Sequence, residues 1–574
     1  MKKTFLVTGI LLSTLLAKSQ PLTTEFEKTN GRKTTTYSEC IKYYEKLDRN
    51  FNSILIKKIN TTDAGYPLHL VLFSKQNNFN LKNWQKDKVI ILVNNGIHPG
   101  EPDGIDASMM LARDLATGKI KAPDNVAIAF IALYNIGGAL DRNSFSRVNQ
   151  DGPESYGFRG NAQNLDLNRD FTKNDSRNAR AFATIFHLLK PTIFIDNHVS
   201  DGADYQHTMT LLTTQQSKLG GAAGAFLHST FEPALYKNME EKEWSMCPYV
   251  NFEAGSPEKG WPAFYDPPRY SSGYTSLFQT IGFVAETHML KPFKQRVEST
   301  YDLMVAMIEE SSKKAKELLE AKRASEKAVI QQSEFPLRWI VDSSRFDTIH
   351  FKGYTASYKT SEVTGQQRLY YNRSKPFEKD VEFYNYYKGV NIVTAPKAYL
   401  IPQGWHEVID ILKLNNVRMQ RLDKDTLMDV EEYRIEDFKS LARPYEKHHK
   451  NTDVTATSRH ITSMFLKGDF VIYTNQPAKR YLVEMLEPTG DDSFFSWNFF
   501  DAVLQQKEGY SNYRWEDVAA EYLKQHPDVK QQLEERKKTD SAFAASADAQ
   551  LNFVYKKSPY YEPEHMRYPV YRLL

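Results

Sequence analysis

At 574 residues the chain is too long for one ordinary hydrophobic core, which implies two or three domains. Its 74 basic residues stand against 71 acidic ones with no basic block, which points away from a nucleic-acid partner. A content of 41% hydrophobic and 13% aromatic residues is that of a folded chain and excludes general disorder.

Lys2 and Lys3, the apolar residues 5–17 and the small residues Ala17 and Ser19 read as a secretory signal peptide cleaved after Ser19. The apolar run is shorter than the roughly 20 residues of a spanning helix. No cysteine follows it to carry a lipid. A secreted or periplasmic protein is expected, with no stable membrane anchor after cleavage. Cys40 and Cys247 are the two cysteines present, which leaves one disulfide and two buried thiols equally open and gives thiolate chemistry no support.

A helix is expected over residues 37–51. From Ile54 to about Met289 short apolar strands alternate with helical segments. Residues 88–93, 126–134, 192–196 and 281–285 read as strands and 106–117 as a helix. Continuous apolar strands between helices mean a sheet buried on both faces, hence an α/β fold. Residues 296–330 carry Val297, Tyr301, Met304 and Ile308 at helical spacing, and the Lys-, Glu- and Ala-rich far end is expected to project as a connector. The domain expectation is a signal peptide over 1–19, a catalytic domain over 20–333 and a separate mixed α/β region over 334–574. In that last region residues 398–402, 405–412 and 417–422 read strand–helix–strand, with short strands near Phe553 and Tyr571. The aromatic run 494–500 reads as core before it reads as a glycan platform.

The segment Asn94-Asn95-Gly96-Ile97-His98-Pro99-Gly100-Glu101 directly follows an apolar strand, at the sheet edge where open α/β folds bind ligands. Imidazole and carboxylate three residues apart can face one point, and both are good zinc donors. His198, in Ile193-Phe194-Ile195-Asp196-Asn197-His198, again lies just past an apolar strand. Two histidines and one glutamate leave a fourth position for water, the arrangement of a catalytic zinc. Glu286 emerges from the apolar strand 281–285, and an ionised glutamate there is costly unless it has a partner or a task; it is the candidate general base. Asn168 and Arg169 offer an amide donor beside a guanidinium fork, suited to a carboxylate, and Arg142, Arg147 and Arg159 upstream add further cations.

These elements, in this order, resemble the zinc metallocarboxypeptidases of the carboxypeptidase A/B superfamily over residues 88–289, in the manner of an exported bacterial member with an extra C-terminal module. The resemblance implies a mixed, largely parallel sheet flanked by helices, and one zinc ion (Zn2+) per chain on His98, Glu101 and His198. It implies Glu286 as general base and then acid, and Asn168 and Arg169 as ligands of the substrate's terminal carboxylate. Arg147 would polarise the scissile carbonyl, and Asp166 would orient a ligand imidazole through its other nitrogen. For the family's mobile tyrosine Tyr265, Tyr270 and Tyr274 compete, and Tyr270, beside Arg269, is taken as the substrate contact. Residues 269–274, where a side-chain selector would fall, spell neither an apolar nor an acidic preference. Residues 335–574 have no counterpart in the pancreatic-type enzymes.

The expected substrate is a peptide, exported, scavenged or part of the cell wall. Two other readings stand beside it. One is a zinc amidohydrolase that deacylates N-acyl amino acids, which the Asn168–Arg169 clamp fits equally. The other is a binding protein on a peptidase fold, with glycan or protein contact through the C-terminal module. Of the remaining histidines, His406 lacks a second histidine because Asp410 stands in its place. His448 and His449 are expected to be solvated, His207 to lie in core or at the surface, and His288 to share a strand face with Glu286.

Overall fold

The computed structural model describes residues 22–251 and 255–574; the expected signal peptide lies outside them. In chain order the first nine strands are β1 Ile54–Thr61, β2 Pro67–Phe73, β3 Val89–Asn94, β4 Val126–Ile131, β5 Ile193–Ser200, β6 Met209–Thr213, β7 Met246–Pro248, β8 Trp261–Pro262 and β9 Ile281–His288. All but β8 join one eight-stranded sheet in the order β1-β2-β4-β3-β5-β9-β6-β7. Its centre, β4-β3-β5-β9, is parallel. The β1-β2-β4 side and the β9-β6 contact are antiparallel, so the sheet is mixed, as expected.

Every residue of β3, β4 and β5 is buried, because helices cover both faces. Helices Tyr37–Asn50, Asp103–Ala116 and Phe293–Lys313 pack one face through Leu47, Leu111 and Met304. Helix Arg177–Leu189 covers the other through Phe182 and Phe186. The single long helix expected over 296–330 is instead two, Phe293–Lys313 and Ala315–Gln331, separated at Lys314. The second does not project. Leu318, Ala321 and Val329 are buried, and Ser325 Oγ accepts from Ala223 N at 2.9 Å.

Beyond it lie β10 Glu334–Val341, β11 Asp347–Thr360, β12 Gln367–Tyr384, β13 Tyr387–Thr394, β14 Ala398–Ile401, β15 Gln420–Arg421, β16 Thr426–Ser440, β17 Asn451–Phe465, β18 Phe470–Tyr473 and β19 Tyr571–Leu573. Six of them form the sheet β15-β18-β14-β19-β16-β17. The strand expected over 417–422 shrinks to β15. Phe553 lies in the helix Ala547–Lys557, where Leu551, Val554 and Tyr555 are buried at helical spacing and Ser546 caps the N-terminus. Phe494, Phe495, Trp497 and Phe500 are fully buried.

The two halves share hydrophobic clusters. Strand β8 pairs with β12, Tyr205 and Trp261 pack with Phe351 and Phe383, and Leu277 packs with Tyr399 and Tyr481. Cys40 and Cys247 are both buried and unpaired. Among the described residues no helix is long and apolar enough to cross a membrane.

Candidate metal centre and cleft

After β3 the chain turns through Gly96, at φ +64°, and Glu101 N donates to His98 O at 2.8 Å. Helix Asp103–Ala116 then starts hard against β5. A Cβ on Gly104 would stand 2.3 Å from Asn197 Cβ, so only glycine permits this approach. The approach brings Glu101 to His198. Glu101 Oε1 lies 3.3 Å from His98 Nδ1, and Oε2 lies 3.2 Å from His198 Nδ1 and accepts from Val199 N at 3.0 Å.

Each imidazole turns its other nitrogen to a carboxylate. His98 Nε2 is 3.0 Å from Asp166 Oδ1, and His198 Nε2 is 3.0 Å from Asp196 Oδ2. The hydrogen bond to Asp166 fixes the tautomer of His98 and aims its opposite nitrogen, whereas His198 Nε2 and Asp196 Oδ2, though close, make no hydrogen bond with each other. Both Nδ1 atoms face Glu101, and His98 Nδ1 is buried without a hydrogen-bond partner. One donor atom from each of His98, Glu101 and His198 lies within 4.8 Å of the other two, and all three residues are buried. This group can hold a metal ion, and its donor set suits zinc.

Asp196 escaped the sequence reading. It stands two residues before His198, hence on the same strand face, and that spacing was the available signal. Its Oδ1 accepts from Asn94 Nδ2 at 2.9 Å, across the register pair that joins β3 to β5.

Glu286 sits on β9 directly opposite His198. Burial pushes its carboxyl up to about 8; His198 and Arg159 pull downward while Glu101 and Asp196 push further up. Burial opposes ionisation of Glu101 as well, yet His98, Arg147 and the bond from His198 hold it well below the ordinary range. A cation bound beside Glu286 would draw its carboxyl back down, whereas Glu101 is already held low by the positive groups around it.

Arg147 donates through Nη1 to Glu101 Oε1 at 2.8 Å and through Nε to Gln150 Oε1 at 2.5 Å. Arg159 donates through Nε to Asp166 Oδ2 at 3.0 Å. Both line the cleft. Arg142 does not: its guanidinium donates to Thr35 O, Ser155 O and Ser155 Oγ, tying loops together.

Leu167–Arg169 is one 3-10 turn capped by Asp166, whose Oδ1 accepts from Asn168 N at 2.8 Å. Asp166 therefore serves His98, Arg159 and the turn that presents Asn168 and Arg169. Asn168 Oδ1 accepts from Ser271 N at 3.2 Å, and Arg169 lies 4.1 Å over the Tyr270 ring. Of the competing tyrosines, Tyr270 lines the cleft. Tyr274 is buried with its hydroxyl on Asn415 Oδ1 at 2.6 Å, and Tyr265 stacks on Tyr387. Leu212, Tyr249, Phe264 and Val284 add apolar wall to a cleft of about 340 Å³. Asp266, also on the cleft and also unforeseen, accepts from Ser272 N, Ser272 Oγ and Gly273 N, and burial pushes it up to about 6.

His288 is not on the cleft. Its Nε2 lies 2.8 Å from Ala203 O, beneath the Tyr205 ring. His207 is core, between Ser245 O and Lys352 N. His448 is not solvated: its Nε2 meets Asp175 Oδ2 at 2.8 Å and its ring packs on Trp497.

No protein-family model matches the chain, and no curated protein matches it. Solved structures do. A metallo-carboxypeptidase from Burkholderia cenocepacia aligns at 14% identity over 49% of this chain and 70% of that one, with a TM-score of 0.34. The carboxypeptidase A of Helicoverpa armigera aligns at 13% over 50% and 74%, TM-score 0.35. Bovine thrombin-activatable fibrinolysis inhibitor, solved with tick carboxypeptidase inhibitor, aligns at 13% over 50% and 98%, TM-score 0.36.

Proposed function

We propose that the chain is a zinc-dependent metallocarboxypeptidase that releases C-terminal residues from exported or scavenged peptides, cell-wall peptides among them. The supporting observation is that one cleft is lined by His98, Glu101 and His198, by Glu286 on the strand beside His198, and by Asn168, Arg169 and Arg147. A zinc ion on the His98, Glu101 and His198 donors supplies the Lewis acidity that activates water and polarises a carbonyl.

The protein's own groups do the rest. Asn168 and Arg169 donate to the substrate's terminal carboxylate, which presents the last peptide bond. Glu286 accepts the proton of the attacking water and returns it to the leaving nitrogen. Arg147 donates to the carbonyl oxygen as negative charge develops there.

The test is metal analysis of the purified protein combined with product mapping on free-acid peptides, C-terminally amidated peptides and N-acyl amino acids. One zinc per chain, single-residue release and inert amides are the expected results. Internal cleavage, or turnover of the N-acyl amino acids alone, would overturn the proposal.

A further inference from the structure

The loop between β16 and β17 reaches from the C-terminal half to the segment that carries Asp166. At its tip Tyr445 N donates to His448 O at 2.8 Å and His448 N to Tyr445 O at 3.1 Å. The two residues between them, Glu446 and Lys447, both have left-handed backbone, at φ +48° and +76°. Two-residue turns of this hand are most readily filled by Asn-Gly. A glutamate and a lysine are strained there, and such strain persists only where the surroundings hold it.

Each side chain of the turn has an anchor on the catalytic half. Glu446 Oε2 accepts from Asp166 N at 2.8 Å. Lys447 Nζ lies 3.7 Å from Asp175 Oδ1, and His448 Nε2 lies 2.8 Å from Asp175 Oδ2. Asn498 Nδ2 donates to His449 O at 3.0 Å and braces the loop from behind.

We propose that Glu446 is a positioning residue of the metal centre and of the carboxylate clamp, acting through the peptide group of Asp166. That residue's side chain faces His98 Nε2 and caps the turn bearing Asn168 and Arg169. Pinning its N–H fixes the origin of both. Glu446 is partly exposed, so replacing it opens no cavity in a core. The inference rests on the zinc peptidase reading for its functional consequence, whereas the backbone contact stands independently of it.

Three variants test the role: Glu446→Ala, Glu446→Gln, and the double change Glu446→Asn with Lys447→Gly. The readouts are zinc affinity by chelator competition, KM and kcat on a free-acid peptide, hydrogen exchange over residues 165–170, and Tm. Glu446→Ala should weaken zinc binding about tenfold, raise KM more than it lowers kcat, and speed exchange at Asp166. Glu446→Gln keeps an acceptor oxygen and should recover most of each loss. The Asn-Gly variant should show the same functional losses with Tm unchanged or raised, a combination that a purely structural role does not produce. Unaltered zinc affinity, KM and Asp166 exchange in Glu446→Ala would overturn the proposal, as would losses that merely follow Tm. Should the parent chain bind no zinc, the peptidase reading fails, and exchange at Asp166 still decides whether Glu446 holds that segment.

Discussion

His198 and Glu286 are register partners on the adjacent parallel strands β5 and β9, so the imidazole and the carboxylate leave the sheet side by side. Glu286 is outside the His98–Glu101–His198 group. Glu286→Gln should therefore leave zinc content unchanged and lower kcat by about 10²–10⁴-fold, the usual contribution of a positioned general base. Metal analysis and turnover measured on the same preparation check it; retained hydrolysis removes Glu286 from the mechanism.

Asp196 stands beside His198 as Asp166 stands beside His98, at 3.0 Å in each case, although only the Asp166 contact is a hydrogen bond. Loss of such a partner typically weakens metal binding by about 10–100-fold. Asp196→Asn should fall in that range in a chelator competition, with the secondary structure intact by circular dichroism. An affinity equal to that of the parent chain would show that the imidazole needs no partner to be oriented.

The central strands and the grouping of His98, Glu101 and His198 were legible because apolar runs and strand-end histidines are local signals. Asp166 is legible through the family resemblance; for Asp196 the sequence offers only its two-residue spacing from His198, which puts both on one strand face. Arg159 and Arg142 looked alike in sequence, and only tertiary contacts separate the cleft arginine from the one that ties loops. Glu446 is not legible in the sequence, since it stands 280 positions after Asp166 and no local pattern connects them. The segment around Phe553 reads as a strand by its aromatic composition, whereas buried Leu551, Val554 and Tyr555 at helical spacing make it a helix.

Arg169 has one N–H on Asn168 O at 2.8 Å and its plane on Tyr270. A guanidinium held this way offers its remaining donors as a fork that lysine cannot copy. Arg169→Lys should raise KM for free-acid peptides by roughly 30-fold or more, taking about 2 kcal/mol or more for a lost buried charge pair. Amidated peptides, which offer the clamp no carboxylate, should stay inert with the variant as with the parent. Equal KM values for free-acid peptides in the two proteins would remove Arg169 from the clamp.

Asp106 lies fully buried in helix Asp103–Ala116. Burial pushes its carboxyl up to about 7 despite bonds from Thr34 and Thr35, and Asp103 adds to the rise. The folded chain thus keeps a proton that the unfolded carboxyl releases near pH 4. Stability from this group falls as pH rises from about 4 to about 7 and stays lower above that. Asp106→Asn should flatten this slope and gain on the order of 3 kcal/mol at pH 8 relative to pH 5. Denaturant unfolding of both proteins at the two pH values checks it; parallel losses would show that Asp106 ionises freely in the fold.

The C-terminal half supplies walls that the N-terminal half lacks on its own. Tyr205 and Trp261 are buried against Phe351 and Phe383, and Leu277 against Tyr399 and Tyr481. Arg269, which precedes Tyr270, donates through its backbone N and Nη1 to the buried Asp492 at 3.0 and 2.9 Å. Lys218 meets Glu484 at 3.0 Å with both side chains buried. A chain ending at Gln331 exposes these apolar surfaces together, each large side chain forfeiting about 1.5–3 kcal/mol of burial. The sum rivals the whole stability of a domain, about 5–15 kcal/mol. Such a fragment should be recovered insoluble or without near-ultraviolet circular dichroism. Asp492→Ala in the full chain should cost about 3–5 kcal/mol, because it leaves Arg269 without its partner. A soluble fragment with native-like spectra and bound zinc would show that the N-terminal half stands alone.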